Sequence, residues 1–242
     1  MGQWNLDLAS LAPRTGRGVR VAVIDSGVHA AHPHIQGVAG GVGIDPSGAL
    51  TDDFVDRLGH GTAVTAVIRE KAPSAEILAI KVFDRDLRTT GATLLAALRW
   101  AKQQGARLAN LSLGTTNAVH ETALADELKL ARQSGLLVVA AAPQADAPWL
   151  PGGLPLAIAV EADLTLPRDR CLITCADDGR VCIRASGYPR PIPGVSPERN
   201  LKGQSFAVAN ATGLLARLFE GEPEGTDIRA ALGSVRSTSP SG

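Results

Sequence analysis

The sequence predicts an α/β protein in three layers, a mostly parallel twisted sheet with helices on both faces. Three observations predict it. Short apolar, β-branched runs recur along the first two thirds of the chain. Amphipathic helical patterns stand between them, and a glycine closes several of those patterns. Strands buried on both faces read as continuous apolar runs, and a helix between successive strands is what a parallel crossover requires. The 242 residues, 45% of them apolar, suit one such domain over residues 1–242 and are cramped for two.

The elements follow in order. Val19 to Ile24 (VRVAVI) reads as a buried strand, and a helix is expected from Gly61 to Glu70. Glu76 to Phe83 (EILAIKVF) is the next strand. Thr90 to Gln104 has helical spacing: Thr90 or Thr93 caps it, Leu94, Leu95, Leu98 and Ala101 share a face, and Gly105 ends it. Arg107 to Leu113 is a strand, and Ala118 to Ser134 is a helix stopped by Gly135. Leu136 to Ala142 and Leu156 to Val160 are further strands. The glycine-rich stretch Gly37 to Gly43 lacks the strand-to-helix context of a phosphate loop and reads as a flexible loop.

Beyond these the pattern changes. Cys171 to Ala176 and Arg180 to Ala185 flank an Asp-Asp-Gly, a hairpin signal. A two-residue Asp178-Gly179 turn would set Cys175 opposite Cys182 at a hydrogen-bonded pair. That site disfavours a disulfide, so buried or half-buried thiols are expected. Pro189 to Pro197 is a loop. Ser205 to Phe219 and Thr226 to Val235 read as helices.

Composition excludes several functions. Lys plus Arg equal Asp plus Glu at 24 each, and aromatics make up 3%. Neither a basic surface nor a stacking platform is present for nucleic acid, and nothing favours an anionic membrane. No apolar run is long enough to span a bilayer, and the N-terminus has no signal-like apolar stretch. The odd cysteine count then predicts reduced thiols and a cytoplasmic location.

Three short segments carry the chemistry. Asp25 stands at the carboxyl end of the first strand. His60 stands between two glycines at a helix start. Ser205 opens a helix of small residues. Each alone suits a bland role: a helix partner, a capping histidine, a capping serine. In the order Asp, His, Ser they match one known triad order. The segments VAVIDSGVHAAHPHI, GHGTAVTAVI and GQSFAVANATG resemble the catalytic segments of the subtilase family of serine peptidases. Asn110 to Gly114 resembles that family's substrate-pairing strand, and Val138 to Ala142 with the later LAIAV resembles its oxyanion region.

The resemblance implies a subtilisin-like fold and an endopeptidase acting through an acyl-enzyme. Asp25, His60 and Ser205 would be its triad. Ser112, Leu113, Gly114, Ala141 and Ala142 would hold the peptide, with Thr90 and Gly91 as the opposite wall. The oxyanion would be met by the Ser205 N–H and by Gln144, which falls where the family has Asn; Pro143 replaces a glycine beside it. Gln204 and Ala209 depart from the family's Thr and Pro. The calcium-binding insertion after the His helix is missing, and no metal or other cofactor is expected. His29, His32 and His34 fall in a loop with no cysteine nearby and predict no metal site.

Only a short stretch precedes Asp25, so the expectation is that the chain folds unaided or that a folding propeptide was removed from it. Together with the missing calcium insertion, this predicts a narrow maturation role on a peptide or protein substrate. One such role is leader removal from a dedicated precursor, as in maturation of a quinone-cofactor amine dehydrogenase subunit. The alternative is a catalytically impaired pseudo-peptidase that binds peptides.

Overall fold

The structure is a computed structural model and describes residues 2–143, 149–196 and 199–237. Its strands are β1 (Gly2–Asp7), β2 (Arg20–Asp25), β3 (Gly40–Ile44), β4 (Leu50–Thr51), β5 (Glu76–Lys81), β6 (Leu108–Leu111), β7 (Leu137–Ala141), β8 (Ile158–Ala162), β9 (Arg170–Cys175) and β10 (Val181–Ala185). Its helices are α1 (His60–Lys71), α2 (Gly91–Gln103), α3 (Glu121–Gln133), α4 (Gln204–Leu218) and α5 (Ile228–Ser237), with a 3₁₀ turn at Ala118–His120.

One sheet runs in the order β1-β9-β10-β8-β7-β6-β2-β5-β3-β4. From β10 through β3 every pair is parallel; β9 on β10, β1 on β9 and β4 on β3 are antiparallel. The alternation in β2 shows why both faces are covered. Val21 and Val23 pack into one core with α1 and α4, while Ala22 and Ile24 pack into a second core with α2 and α3. Successive strand side chains point to opposite faces, so an all-apolar strand needs a helical layer on each side.

Glycine lets the layers come close. A Cβ on Gly213 of α4 would lie 2.6 Å from the Lys71 Cβ of α1. Thr90 caps α2 by accepting from the Thr93 N–H at 3.1 Å.

Two expectations are corrected. Gly40–Ile44 is a parallel strand on β5 and not a flexible loop. Its glycines mask it, because Gly lowers strand propensity. They are there for space: a Cβ on Gly41 would lie 2.5 Å from the Phe54 ring, and one on Gly43 2.3 Å from the Asp53 carbonyl. The hairpin register also differs. Ala176 and Arg180 close a turn that holds Asp177, Asp178 and Gly179, with Gly179 at φ +88°. The extra residue shifts the pairing by one, so Cys175 faces Val181 and Cys182 faces Thr174. Strand β1, which caps the edge of β9, has no clear pattern in the sequence and adds an element.

Candidate active site

Parallel sheets gather their loops at the carboxyl ends of the strands. Asp25 ends β2 there, with 1% of its surface exposed. Its Oδ1 accepts from the Ser26 N–H at 2.7 Å and meets His60 Nδ1 at 2.7 Å. An imidazole donating Nδ1–H to a carboxylate is held in the tautomer that leaves Nε2 free to accept.

The local sequence makes this approach possible. Gly59 precedes α1 at φ +82°, a conformation that favours glycine. A Cβ on Gly61 would lie 2.2 Å from the Gly27 carbonyl and 3.2 Å from the Asp25 Cβ. Only a hydrogen at that position lets the start of α1 sit against the end of β2.

Asp56 ties the two together. Its Oδ1 accepts from Ser26 Oγ at 2.9 Å, from the Leu58 N–H at 2.9 Å and from the Gly59 N–H at 2.8 Å. Its Oδ2 accepts from the Thr62 N–H at 2.8 Å and Thr62 Oγ1 at 2.6 Å. Ser26 Oγ in turn accepts the Gly61 N–H at 2.9 Å. A second anchor is ionic: Lys81 Nζ, at the end of β5, lies 3.1 Å from Asp53 and 2.9 Å from Asp84.

Charge follows from this geometry. Burial pushes the His60 pKa down, but the Asp25 hydrogen bond, the Asp25 charge and the Asp56 charge outweigh it, and the net shift is upward. Burial pushes Asp56 up, but its hydrogen bonds from Thr62, Gly59 and Ser26 outweigh it and hold the carboxyl below its usual range.

Ser205 is the second residue of α4, where a helix N–H has no intrahelical acceptor and the dipole favours negative charge. The start of α4 is clamped. Gln204 Nε2 donates to the Val160 carbonyl, its Oε1 accepts from the Ala162 N–H at 2.9 Å, and the Gly203 N–H donates to the Gly187 carbonyl at 2.9 Å. Further along, Thr212 Oγ1 donates to Asn110 Oδ1 at 3.0 Å. Asn110 Nδ2 donates to Ser112 Oγ at 3.2 Å, and Ser112 Oγ lies 3.4 Å from the Ser205 carbonyl. The ring of Phe206, next in the chain, lies 6.2 Å from the His60 ring between centroids. Asp25 and His60 are thus in contact, and Ser205 stands on α4 next to Phe206, the residue whose ring faces His60.

The remaining site residues fall as follows. Ser112, Leu113 and Gly114 continue β6. Ala141 ends β7, and the Ala142 N–H donates to the Val160 carbonyl at 2.8 Å. Gln144 lies outside the described residues. Thr90 donates to the Pro46 carbonyl at 3.1 Å and lines a groove of about 610 Å³ with Asp53, Lys81 and Asp84. Gly91 lies under the His120 ring, whose Nδ1 would be 2.4 Å from a Cβ there. Only Ala72 to Ala75 link α1 to β5, a stretch without a carboxylate to ligate calcium. Among the described residues no group of three or more His, Cys, Asp or Glu could hold a metal ion.

Sequence reasoning missed Ser26, Asp56 and Thr212, which support the site through hydrogen bonds. Asp56 carried the clearest unused signal, an acidic residue one turn before a Gly-His-Gly-Thr that needs capping.

An imidazole seated on a buried carboxylate, and a hydroxyl at the start of a helix whose next residue, Phe206, lies 6.2 Å from that imidazole between ring centroids, are the groups that serine hydrolases combine. Comparison with known proteins narrows this class. Residues 16–156 match the Subtilase family (Peptidase_S8), and the chain belongs to that family. It is 32% identical over 213 residues to subtilisin BL of Lederbergia lenta, covering 83% of this chain and 72% of that protein. It is 30% identical over 237 residues to thermitase of Thermoactinomyces vulgaris, covering 90% and 80%. The fold aligns with a cold-adapted subtilisin-like serine proteinase at a TM-score of 0.70 and 23% identity, over 92% of this chain and 82% of the other. The protein is a subtilisin-like serine endopeptidase.

Proposed function

We propose that Asp25, His60 and Ser205 form the triad of this peptidase. The Asp25–His60 contact of 2.7 Å carries the reading. Ser205 Oγ attacks the scissile carbonyl while His60 Nε2 takes its proton. Asp25 holds the tautomer and stabilises the imidazolium, and His60 then gives the proton to the leaving amine. The acyl-enzyme is hydrolysed by the reverse sequence with water as nucleophile. The Ser205 N–H and the Gln144 amide meet the oxyanion. The peptide lies extended on Ser112, Leu113 and Gly114, with Ala141 and Ala142 on one side and Thr90 and Gly91 on the other.

A fluorophosphonate should label the purified protein at Ser205, and Ser205→Ala should abolish labelling. Pro143, which has no N–H beside the oxyanion position, supports the second reading of a peptide-binding pseudo-peptidase. An unlabelled wild type would establish that reading.

We further propose a narrow range, such as leader removal from a dedicated precursor, for instance in maturation of a quinone-cofactor amine dehydrogenase subunit. Its support is the altered Ala142-Pro143-Gln144 stretch and the absence of a calcium insertion between α1 and β5. Cys171, Cys175 and Cys182 are all free thiols, which suits a reducing cytoplasm. Among the described residues no helix is long and apolar enough to cross a membrane. Rapid, general degradation of casein would overturn the narrow range.

A further inference from the structure

We infer that the indole of Trp149 fills the slot that would otherwise receive the side chain preceding the scissile bond, so that this peptidase cleaves after glycine or alanine. The inference rests on the peptide-cleft reading above.

The slot is defined by two strands that part. β6 and β7 pair last at Leu111 and Ala140. Beyond that point Ala142 turns its N–H to Val160, on the side away from β6. Thr115 instead makes an antiparallel bridge with Leu150, with N–H···O distances of 2.9 Å in both directions. The gap between Ser112–Gly114 and Ala141–Pro143 opens beside the nucleophile, because Ser112 Oγ is 3.4 Å from the Ser205 carbonyl.

Trp149 lies against the Gly114 wall of that gap. A Cβ on Gly114 would lie 2.2 Å from its Nε1, 2.3 Å from Cε2 and 2.8 Å from Cζ2, so the ring rests directly on the glycine backbone. The segment carrying it is wedged against the opposite wall. A Cβ on Gly152 would lie 1.8 Å from the Ala141 carbonyl, and one on Gly153 3.3 Å from Pro143 Cγ. The Gly153 N–H closes a turn on the Trp149 carbonyl at 2.7 Å. The half-buried Trp149 also packs against the core that α1 and α4 cover.

The consequence is steric. A peptide added as a strand to Ser112–Gly114 alternates its side chains about the strand. With its scissile carbonyl at Ser205, the side chain one bond before that carbonyl is directed to the gap between the parted strands. A hydrogen or a methyl fits beside the indole; a leucine or phenylalanine competes with it for the same volume. Trp149 Nε1 is buried without a hydrogen-bond partner. Removing the ring therefore orphans no polar group in the protein.

The test uses the full chain and peptides that differ only in the residue before the cleaved bond: Gly, Ala, Leu or Phe. In the wild type, kcat/KM for Ala should exceed that for Leu and Phe by about 100-fold. In Trp149→Gly that ratio should fall by at least about tenfold, through a gain on Leu and Phe. Circular dichroism melting checks that the variant folds, and Trp149→Leu carries the same comparison if it does not. Wild-type cleavage after Phe as fast as after Ala, or an unmoved ratio in a folded variant, overturns the inference while leaving the peptidase intact. Absence of fluorophosphonate labelling in the wild type overturns both.

Discussion

Ser26 Oγ lies 2.9 Å from Asp56 Oδ1 and accepts the Gly61 N–H at 2.9 Å. This pair joins the residue after Asp25 to the residue after His60, so the geometry of the carboxylate–imidazole contact is set from outside it. Asp56 also places a negative charge near the imidazole. It acts as a positioning residue. Asp56→Ala should lower kcat/KM by about 10–100-fold, the usual size for a lost supporting hydrogen-bond group. It should also move the acid limb of the pH–rate profile to lower pH, because one source of the upward His60 shift is gone. A structural role alone would not move that limb. Asp56→Asn keeps the acceptor at Oδ1 and should fall between the two.

The His60 shift has a definite sign in catalysis and in stability. Burial lowers its pKa, and Asp25 with Asp56 raises it by more. In the proposed triad the free base accepts the Ser205 proton, so kcat/KM should fall as pH drops through a value above the ordinary histidine range near 6.5. Folding favours the protonated ring. The associated stability is fully present below the unfolded pKa and is lost as pH rises through the higher folded value. Asp25→Asn should bring the kinetic limb down and cost activity heavily. A limb at or below 6.5 in the wild type would contradict the arrangement.

Gly61 should tolerate no side chain. The clash of its Cβ at 2.2 Å is with the Gly27 carbonyl, a backbone atom that cannot swing aside. Gly61→Ala should destabilise the fold by about 1–3 kcal/mol, as overpacking does, and should reduce fluorophosphonate labelling by separating His60 from Asp25. Gly233→Ala in α5 is the control. A Cβ there meets nothing within 4 Å, and the change should be neutral or stabilising by about 0.5–1 kcal/mol. Thermal melting of the two variants checks both signs.

What the sequence revealed, and what it hid, has a physical pattern. The central strands β2, β5, β6 and β7 were legible because both faces are buried and, Asn110 apart, the residues between their ends are apolar. The contact between Asp25 and His60 was legible because one ends a strand and the other opens a helix. β3 was hidden because its glycines make room for Phe54 and Asp53, contacts made with residues beyond the strand itself. Asp56 was hidden because its role lies in receiving hydrogen bonds from a loop whose path only the fold determines. The hairpin register was off by one because Asp-Asp-Gly supports either a two- or a three-residue turn, and the choice rests on Gly179 closing the longer one.

The register has a chemical consequence for the cysteines. Cys171 and Cys175 point into the core, and Cys182 is half-buried opposite Thr174. Burial pushes the Cys171 thiol up to about 12 and the Cys182 thiol up to about 11; burial also raises Cys175, against the opposing pull of Arg229. The thiolate is the nucleophile, so all three should react slowly with an aromatic disulfide reagent at pH 8 in the native protein. In denaturant the same reagent should count the full set of three cysteines. Fast stoichiometric reaction of one thiol in the native state would show that β9 or β10 opens at the edge of the sheet. That edge is covered by β1, whose Gly2 and Leu6 pair with Cys175 and Cys171. Deleting residues 1–7 should therefore speed reaction at Cys171 and Cys175 well beyond the intact chain.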